Sequence, residues 1–299
     1  MALPPGHGKR TLVIVNPAAG GGRAARRAEP LVTSLRNQGG VVTCIETSGP
    51  GDATRLAREA DADVVVAAGG DGTLHEVVNG LASRAAAPAL AVLPVGTGNS
   101  FARDFGLHIP ESAVAALVRG QARPVDLLRI DHALGPTWSI NLVGFGFSAT
   151  AGSLMNRRFK ALGVAGYVAA VLGTLARLQT PVISAAINGR PADARPVVLL
   201  SLCNSRCTGG TMQMAPAADP SDGKLDVIRV GPMSRVRFLL AFPRIFRGTH
   251  VQMPEVEATT AERVDFFLEQ PVDVMVDGEV YSLLVRTVTV VPAALSMIA

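Results

Sequence analysis

The sequence predicts an α/β fold made of two parts, an N-terminal parallel sheet and a C-terminal, mainly antiparallel β region. Before about residue 124, apolar runs alternate four times with segments of helical spacing, as in a parallel sheet covered by helices. Beyond that point the apolar runs follow one another with few helices between them, as in antiparallel sheets. Because 299 residues suffice for two hydrophobic cores, we predict one domain over residues 10–124 and a second over 125–287.

Four strands are predicted in the N-terminal domain, each a short apolar or β-branched run. Segments with apolar residues at helical spacing follow the strands, and glycines or a capping aspartate mark the ends of the helices. The predicted strands are 11–15, 41–46, 64–68 and 89–93, and the predicted helices are 23–37, 52–60, one from residue 73 onward and a short one after residue 100.

Three of these strands lead into glycine-rich or polar loops, at residues 16–22, 69–73 and 94–99. In a parallel sheet such loops gather at the carboxyl edge, where ligands bind, so we expect the three loops to converge. Glycine N–H groups and the positive end of the following helix suit a chain of phosphates. Asp71 stands among the glycines of the second loop, where its carboxylate could hold a metal ion or accept a proton.

The C-terminal domain is predicted to contain seven strands and little helix. Turn sequences such as Asn188-Gly189-Arg190 and Asp222-Gly223-Lys224 separate some of the strands. Helical spacing is confined to about 152–178 and 234–247. The predicted strands are 125–130, 138–143, 182–187, 197–203, 225–230, 272–276 and 283–291.

The composition argues against a protein that binds nucleic acid. Charged residues make up 17% of the chain, aromatic residues only 4%, and the net charge is +4. Neither a strongly basic patch nor a platform for stacking bases is therefore expected. Three cysteines without a disulfide framework fit a reducing, cytoplasmic compartment.

The segment 161–176 is uncharged and flanked by basic residues. It is shorter than the roughly 20 residues that a spanning helix needs, so it predicts a buried helix or one that docks on a surface. A mildly basic, fairly apolar chain is compatible with an anionic membrane. We therefore expect a cytoplasmic protein that associates peripherally with a membrane.

Several features have a structural explanation beside the functional one. Asp277-Gly278-Glu279 fits a plain hairpin turn as well as an active-site carboxylate. Met212 and Met214 could line an adaptable apolar cleft, or they could be ordinary core residues. The spacing of residues 144–149 fits a dinucleotide-binding fingerprint, but residues 160–175 contain no aspartate or glutamate to complete it, which argues against a dehydrogenase.

A set of short motifs runs in order from about residue 10 to 295. The motifs are Asn16-Pro17, Gly69-Gly70-Asp71-Gly72-Thr73, Pro94-Val95-Gly96-Thr97-Gly98-Asn99, Phe101-Ala102-Arg103, Asn204 with Gly209-Gly210, Ala215-Pro216 with Asp222-Gly223, and Asp277-Gly278-Glu279. Together they resemble the diacylglycerol kinase catalytic family, in the bacterial branch of lipid kinases that is related to sphingosine and ceramide kinases. The 69–73 motif alone is shared with NAD kinases and is related to a phosphofructokinase loop.

The resemblance implies an NAD kinase-like nucleotide-binding domain and a β-sandwich-like lipid domain, with a final strand at about 288–299 that returns to the first. It also implies ATP and Mg²⁺ as cofactors and a lipid at a membrane surface as the substrate. Asp71 and Asp277 would share the catalytic role, as a base or as a carboxylate linked to the metal through water. The implied nucleotide-binding residues are Asn16, Pro17, Thr47, Gly69, Gly70, Gly72, Thr73, Gly96, Thr97, Gly98, Asn99, Lys160 and Glu279, and the candidate substrate residues are Glu76, Arg103, Met212 and Met214.

The chain departs from the family pattern at Ser148, where many members carry an acidic residue. The main hypothesis is an ATP-dependent lipid kinase, with diacylglycerol first and a sphingoid base or ceramide as the alternative. A soluble-substrate kinase of the NAD-kinase type and a non-catalytic nucleotide or lipid sensor are competing hypotheses. A homodimer is compatible with the sequence, which does not specify the oligomeric state.

Overall fold

The structure, a computed structural model, describes residues 9–37, 40–96, 98–155 and 170–299. The chain forms two compact units. The first unit extends to Val125 and includes Ala293–Ala299, and the second unit spans Asp126–Pro292. A parallel sheet in the first unit and antiparallel sheets in the second confirm the predicted fold class.

The sheet of the first unit has four parallel strands: β1 (Arg10–Val15), β2 (Val41–Glu46), β3 (Val64–Gly69) and β4 (Ala89–Pro94). Their order is β2-β1-β3-β4. Strand β3 is buried along its whole length because it consists only of valine, alanine and glycine, as in parallel sheets with both faces covered. The last strand of the chain, β18 (Val285–Ile298), places Met297 beside Leu90 in parallel.

The described part of the first unit contains four α-helices of eight or more residues: α1 (Ala24–Asn37), α2 (Asp52–Glu59), α3 (Asp71–Ala82) and α4 (Pro110–Arg119). A 3₁₀ helix, Phe101–Phe105, follows the third glycine loop. Helix α3 buries apolar side chains at the helical spacing that the sequence shows, among them Leu74, Val77 and Leu81. A methyl group at Gly80 would lie 2.4 Å from the carbonyl oxygen of Thr54, so this glycine lets α2 and α3 pack closely.

The second unit contains two large antiparallel sheets. The remaining strands are β5 (Ala122–His132), β6 (Thr137–Ser139), β7 (Leu142–Gly146), β8 (Val182–Ile187), β9 (Asp193–Pro196), β10 (Leu199–Cys203), β11 (Cys207–Thr208), β12 (Met212–Gln213), β13 (Leu225–Val230), β14 (Val256–Ala261), β15 (Arg263–Phe266), β16 (Val272–Val276) and β17 (Glu279–Leu283). One sheet has the order β14-β13-β10-β7-β16-β17. The other runs β18-β15-β8-β9, with β5 beside β18 and β6 beside β5.

The core of the second unit lies on both faces of the six-stranded sheet. Leu200 and Leu202 of β10 belong to the cluster shared with the other sheet, which gives the sandwich. Leu199 and Cys203 of the same strand belong to a second cluster on the opposite face, because successive side chains of a strand alternate. Helices α5 (Phe147–Leu154) and α6 (Arg235–Ala241) contribute to this second cluster. The helical segment 170–175 adds Val171 and Leu175.

The structure corrects the predicted strand pattern in two ways. The predicted strand 138–143 is wrong as a single strand, because it breaks between β6 and β7 where the N–H groups of Ile140 and Asn141 donate to the carboxylate of Asp277. Six strands, β9, β11, β12, β14, β15 and β17, were not predicted. Strand β14 is an edge strand with four exposed residues, and its sequence VEATTA therefore shows no apolar run.

Within the described part of the chain, no helix is both long and apolar enough to cross a bilayer. The predicted buried or surface-docking helix 161–176 lies mostly outside the described residues. Its described end, residues 170–175, is helical.

Candidate active site

The first glycine loop is tied to the second through Asn16. Its backbone N–H donates to the carbonyl oxygen of Ala68 at 3.0 Å, and its side-chain Nδ2 donates to Thr73 Oγ1 at 3.1 Å. Its Oδ1 accepts a hydrogen bond from the N–H of Ala18 at 3.0 Å, across Pro17. The end of β1 is thereby linked to the first turn of helix α3.

The second and third loops touch through their backbones. A methyl group at Gly96 would lie 2.3 Å from the Cα of Gly70, and the N–H of Gly96 donates to the carbonyl oxygen of Gly69 at 2.9 Å. The first loop reaches the third in the same way, because a methyl group at Gly20 would lie 2.4 Å from the carbonyl oxygen of Val95. Glycine is needed at these positions since only a missing Cβ permits such close contact.

Asp71 is held in one orientation where these loops meet. Its Oδ1 accepts a hydrogen bond from the N–H of Ser100 at 2.7 Å, and its Oδ2 accepts one from Ser100 Oγ at 3.3 Å. A methyl group at Gly98 would lie 2.7 Å from Oδ2, so the glycine leaves room beside this oxygen. Asp71 is also the first residue of α3, where the positive end of the helix stabilises a negative charge.

Other predicted nucleotide residues of the first unit lie around this point. The N–H of Thr47 donates to the carbonyl oxygen of Val15 at 2.8 Å, next to Asn16. Asn99 adopts a positive φ of 51° and donates from Nδ2 to the carbonyl oxygen of Gly96 at 3.1 Å. Gly72 lies in the first turn of α3. All of these residues are close in sequence or by hydrogen bond to the three loops.

The two candidate substrate residues of the first unit differ in their surroundings. One oxygen of the Glu76 carboxylate accepts a hydrogen bond from the N–H of Ala53 at 3.1 Å, so Glu76 caps the N-terminus of helix α2. Arg103 lies in the 3₁₀ helix after the third loop, and its Nε is buried without a hydrogen-bond partner among the described residues. A buried guanidinium N–H without a partner is costly, which makes Arg103 suited to an anionic ligand.

Asp277 lies in the second unit and closes the hairpin between β16 and β17. It has a positive φ of 51° and Gly278 one of 97°, as in the two-residue turns that favour Asp-Gly. Glu279 is the first residue of β17 after this turn. The segment Asp277-Gly278-Glu279 therefore forms a hairpin turn, which was one of the two explanations given for it in the sequence analysis.

The Asp277 side chain does more than shape this turn. It is buried, with 4% of its surface exposed, and its carboxylate accepts four hydrogen bonds. The donors are Ser139 Oγ at 2.6 Å and the N–H groups of Ile140, Asn141 and Leu142 at 3.1, 2.9 and 3.1 Å. These four hydrogen bonds converge on one side chain, so Asp277 fixes the connection between β6 and β7.

Three further residues of the second unit were singled out in the sequence. Met212 and Met214 are both buried in the core cluster that contains Phe147 and Phe238, so the structure favours the core explanation for them. Ser148 is buried on helix α5, and a methyl group at Gly144 would lie 2.9 Å from its Cβ.

Two predicted nucleotide residues, Thr97 and Lys160, lie outside the described residues. The sequence analysis missed two residues of the site, Ser100 and Ser139, which donate hydrogen bonds to the candidate carboxylates of Asp71 and Asp277. The position of Ser100 directly after the third glycine loop could have indicated that it lies close to Asp71. Nothing near Ser139 in the sequence indicates its partner, which is 138 residues away.

Comparison with known families accounts for both units. Residues 10–130 match the family model of the diacylglycerol kinase catalytic domain. Residues 141–299 match the model of the YegS C-terminal NAD kinase beta sandwich-like domain. The chain belongs to the diacylglycerol kinase catalytic-domain family. It is therefore a lipid kinase.

Curated relatives of this lipid kinase cover nearly its whole length. A diacylglycerol kinase of Mycobacterium tuberculosis (strain H37Rv) is 33% identical over 296 residues, which is 97% of this chain and 94% of the relative. A diacylglycerol kinase of Bacillus subtilis is 29% identical over 91% of this chain and 90% of its own. A YegS-like lipid kinase of Xanthomonas euvesicatoria is 34% identical over 89% of both chains.

Solved structures show the same fold for this lipid kinase. A crystal structure from Bacillus anthracis (strain Sterne) superposes with a TM-score of 0.82 at 23% identity, covering 100% of this chain and 96% of its own. A second structure from that organism, described as a diacylglycerol kinase, gives a TM-score of 0.73 at 22% identity over 97% and 96% of the two chains.

Proposed function

We propose that this lipid kinase transfers the γ-phosphoryl group of ATP to a hydroxyl group of diacylglycerol. The observation that carries the proposal is the meeting of three glycine-rich loops around one carboxylate, Asp71. Relatives named diacylglycerol kinase support this choice of lipid. The lipid oxygen bonds to the γ-phosphorus as the bond to the ADP oxygen breaks, and the hydroxyl proton passes to a carboxylate.

The backbone of the loops is suited to bind the phosphates of ATP. Successive N–H groups at the start of helix α3, from Gly70 to Thr73, stand at the positive end of the helix. The Nε of Arg103 adds a cationic donor that has no partner among the described residues. An anion would satisfy this donor with a charge-assisted hydrogen bond.

The surroundings of Asp71 fit a Mg²⁺ ion, whereas those of Asp277 do not fit direct ligation. Gly98 leaves space at one oxygen of Asp71, and Mg²⁺ needs only one or two protein carboxylates because it retains several waters. The Asp277 carboxylate already binds four donors of its own chain. Mg²⁺ would neutralise charge on the transferred phosphoryl group.

The proton acceptor is Asp71 or Asp277, and substitution by asparagine distinguishes them. In Asp71→Asn the amide oxygen can still accept the hydrogen bond from the N–H of Ser100, so the substitution removes the charge and leaves this contact. Loss of a general base lowers kcat on the order of a hundredfold or more. Asp273→Asn, at an exposed carboxylate of β16, is the matched control.

The deciding experiment is phosphate transfer from labelled ATP in mixed micelles with Mg²⁺. The lipid panel contains diacylglycerol, monoacylglycerol, a sphingoid base, ceramide and phosphatidylglycerol. We expect diacylglycerol to be the preferred acceptor, Asp71→Asn to be nearly inactive and Asp273→Asn to match the wild type. If the enzyme instead prefers the sphingoid base or ceramide as acceptor, that lipid and not diacylglycerol is the substrate. A folded protein that binds ATP and phosphorylates no lipid of the panel would refute the proposal.

A further inference from the structure

An apolar face is exposed on the second unit at helix α6 and the 3₁₀ helix Phe242–Arg247 that follows it. Its members, which we call the docking face, are Val236, Leu239, Leu240, Pro243 and Phe246. Val236 and Leu240 are 68% and 72% exposed, and Leu239 and Phe246 are 48% and 45% exposed. Residues 236, 239, 240 and 243 have the spacing of one side of a helix, so the exposed side chains form one surface rather than scattered positions.

The opposite side of the same segment is firmly packed. Phe238 and Ile245 are buried in the core cluster of the second unit. The Phe238 ring lies 4.6 Å from that of Phe147, and the rings of Phe242 and Phe246 continue outward at 6.2 and 5.9 Å between neighbouring centroids. The docking face is therefore held on a fixed scaffold and stays exposed in the folded unit.

The charge around the docking face is net positive. From residue 227 to 254 the sequence contains five arginines and no aspartate or glutamate. Arg237 binds Glu255 at 2.8 Å, and Arg229 binds Asp193 at 3.1 Å. The other three are exposed and form no salt bridge within the described part of the chain, although Arg244 acts on Glu255 through space. These three are Arg235, Arg244 and Arg247.

We propose that the docking face binds the surface of an anionic lipid bilayer. Apolar side chains that enter the interface, with cationic side chains beside them at the level of the headgroups, are the features of interfacial helices. Each arginine close to an anionic membrane strengthens binding roughly fivefold. The inference rests on the proposed function only for the choice of a lipid surface as the partner.

The same charges disfavour a second copy of the chain as the occupant. In a two-fold symmetric dimer, the same surface of each copy meets its equivalent. The exposed arginines of both copies would then approach each other. Residues 227–254 contain no carboxylate, and the adjacent Glu255 is already paired with Arg237. A bilayer that contains acidic lipids supplies both the apolar phase and the negative charge.

The test is sedimentation of the full chain with vesicles, without ATP, so that binding is measured apart from phosphoryl transfer. One set of vesicles contains phosphatidylcholine alone, and in the other part of it is replaced by phosphatidylglycerol. We expect stronger binding to the anionic vesicles. Val236→Ser with Leu240→Ser should weaken binding to them by about tenfold or more, because two exposed apolar side chains no longer leave water.

Arg235→Gln with Arg247→Gln should reduce binding to the anionic vesicles by roughly fivefold for each charge and leave binding to phosphatidylcholine nearly unchanged. The matched controls are Leu134→Ser, at a side chain that is 86% exposed elsewhere in the second unit, and Arg190→Gln at an exposed turn. Both controls should bind as the wild type does. Circular dichroism of every variant checks that it is folded.

Equal loss of binding in the Leu134→Ser control, or no loss in the Val236→Ser/Leu240→Ser variant, would overturn the proposal. A change of oligomeric state on gel filtration without a change in vesicle binding would instead assign the face to a dimer and also overturn it. Phosphorylation of lipid dispersed in micelles reports on the proposed function separately. We expect the docking-face variants to keep that activity while losing vesicle binding.

Discussion

At the scale of single residues, the space beside Asp71 depends on the absence of a side chain at position 98. Gly98→Ala places a methyl group 2.7 Å from Oδ2 of the Asp71 carboxylate and should displace it. We expect kcat to fall on the order of tenfold to a hundredfold, since small displacements of catalytic groups cost that much. Gly49→Ala is the matched control, because its methyl group would meet nothing within 4 Å. Equal activity of both variants in the micelle assay would show that Asp71 needs no space there.

Asp226 gives a prediction about pH. Burial, and then the negative charge of Asp222, raise the pKa of the Asp226 carboxyl to about 6. In the unfolded chain the pKa returns to about 4, so between these values the folded protein binds more protons than the unfolded one. This contribution to stability is present below about pH 4 and is lost as the pH rises through about 6.

Asp226→Asn should therefore stabilise the protein at pH 8 and have little effect at pH 4. We expect a gain on the order of 1 kcal/mol at pH 8, after a discount for the solvent that reaches this half-buried group. Urea unfolding at the two pH values measures it. Asp222→Asn, which removes only the second cause of the raised pKa, should give a smaller gain of the same sign, and a gain that is equal at both pH values would contradict the assignment.

At the scale of elements, the hairpin β16–β17 is joined to the break between β6 and β7 through one carboxylate. Asp277→Asn places an amide N–H group among four hydrogen-bond donors, and a donor that loses its acceptor in a buried place costs about 1–3 kcal/mol. We expect the free energy of unfolding in urea to fall by this amount.

The stability measurement is needed to interpret the activity of Asp277→Asn. Asp273→Asn, on the same strand but exposed, should leave the free energy of unfolding unchanged. If Asp277→Asn is inactive but as stable as this control, the carboxylate acts in the reaction and its hydrogen bonds contribute little to the fold. If it is destabilised yet active at a temperature where it is folded, its role is to position the 139–142 segment.

At the scale of the whole molecule, the chain returns at its end to the unit in which it began. Residues Ala293–Ala299 belong to the first unit, where Leu295, Met297, Ile298 and Ala299 are buried. Removal of residues 293–299 takes three large apolar side chains out of that core. We expect a loss of several kcal/mol in the unfolding of the first unit, measured by urea titration.

Met297→Leu is the control for this truncation, because a swap that conserves volume costs less than about 1.5 kcal/mol. A truncated chain that unfolds like the wild type would show that the pairing of Met297 with Leu90 contributes little.

Much of the fold could be predicted because its causes are local. The apolar run VVVAAG of β3 and the helical spacing of Leu74, Val77 and Leu81 are visible within a few residues of sequence. The edge strand β14 could not be predicted in this way, since three of its four exposed residues are polar and only its pairing with β13 makes it a strand. The apolar docking face was likewise predicted only as helix, because spacing does not reveal which side is covered.

The sequence by itself determined the α/β class, the glycine loops at the ends of the strands and the family motifs, since these depend on residue type and spacing along the chain. Only the tertiary structure decided what surrounds each carboxylate. Asp71 is held by Ser100, 29 residues away, and Asp277 by groups 135 to 138 residues away. The physical reason is that a hydrogen bond forms only between groups that lie close together in space. The fold determines which distant residues meet, and the local sequence does not show it.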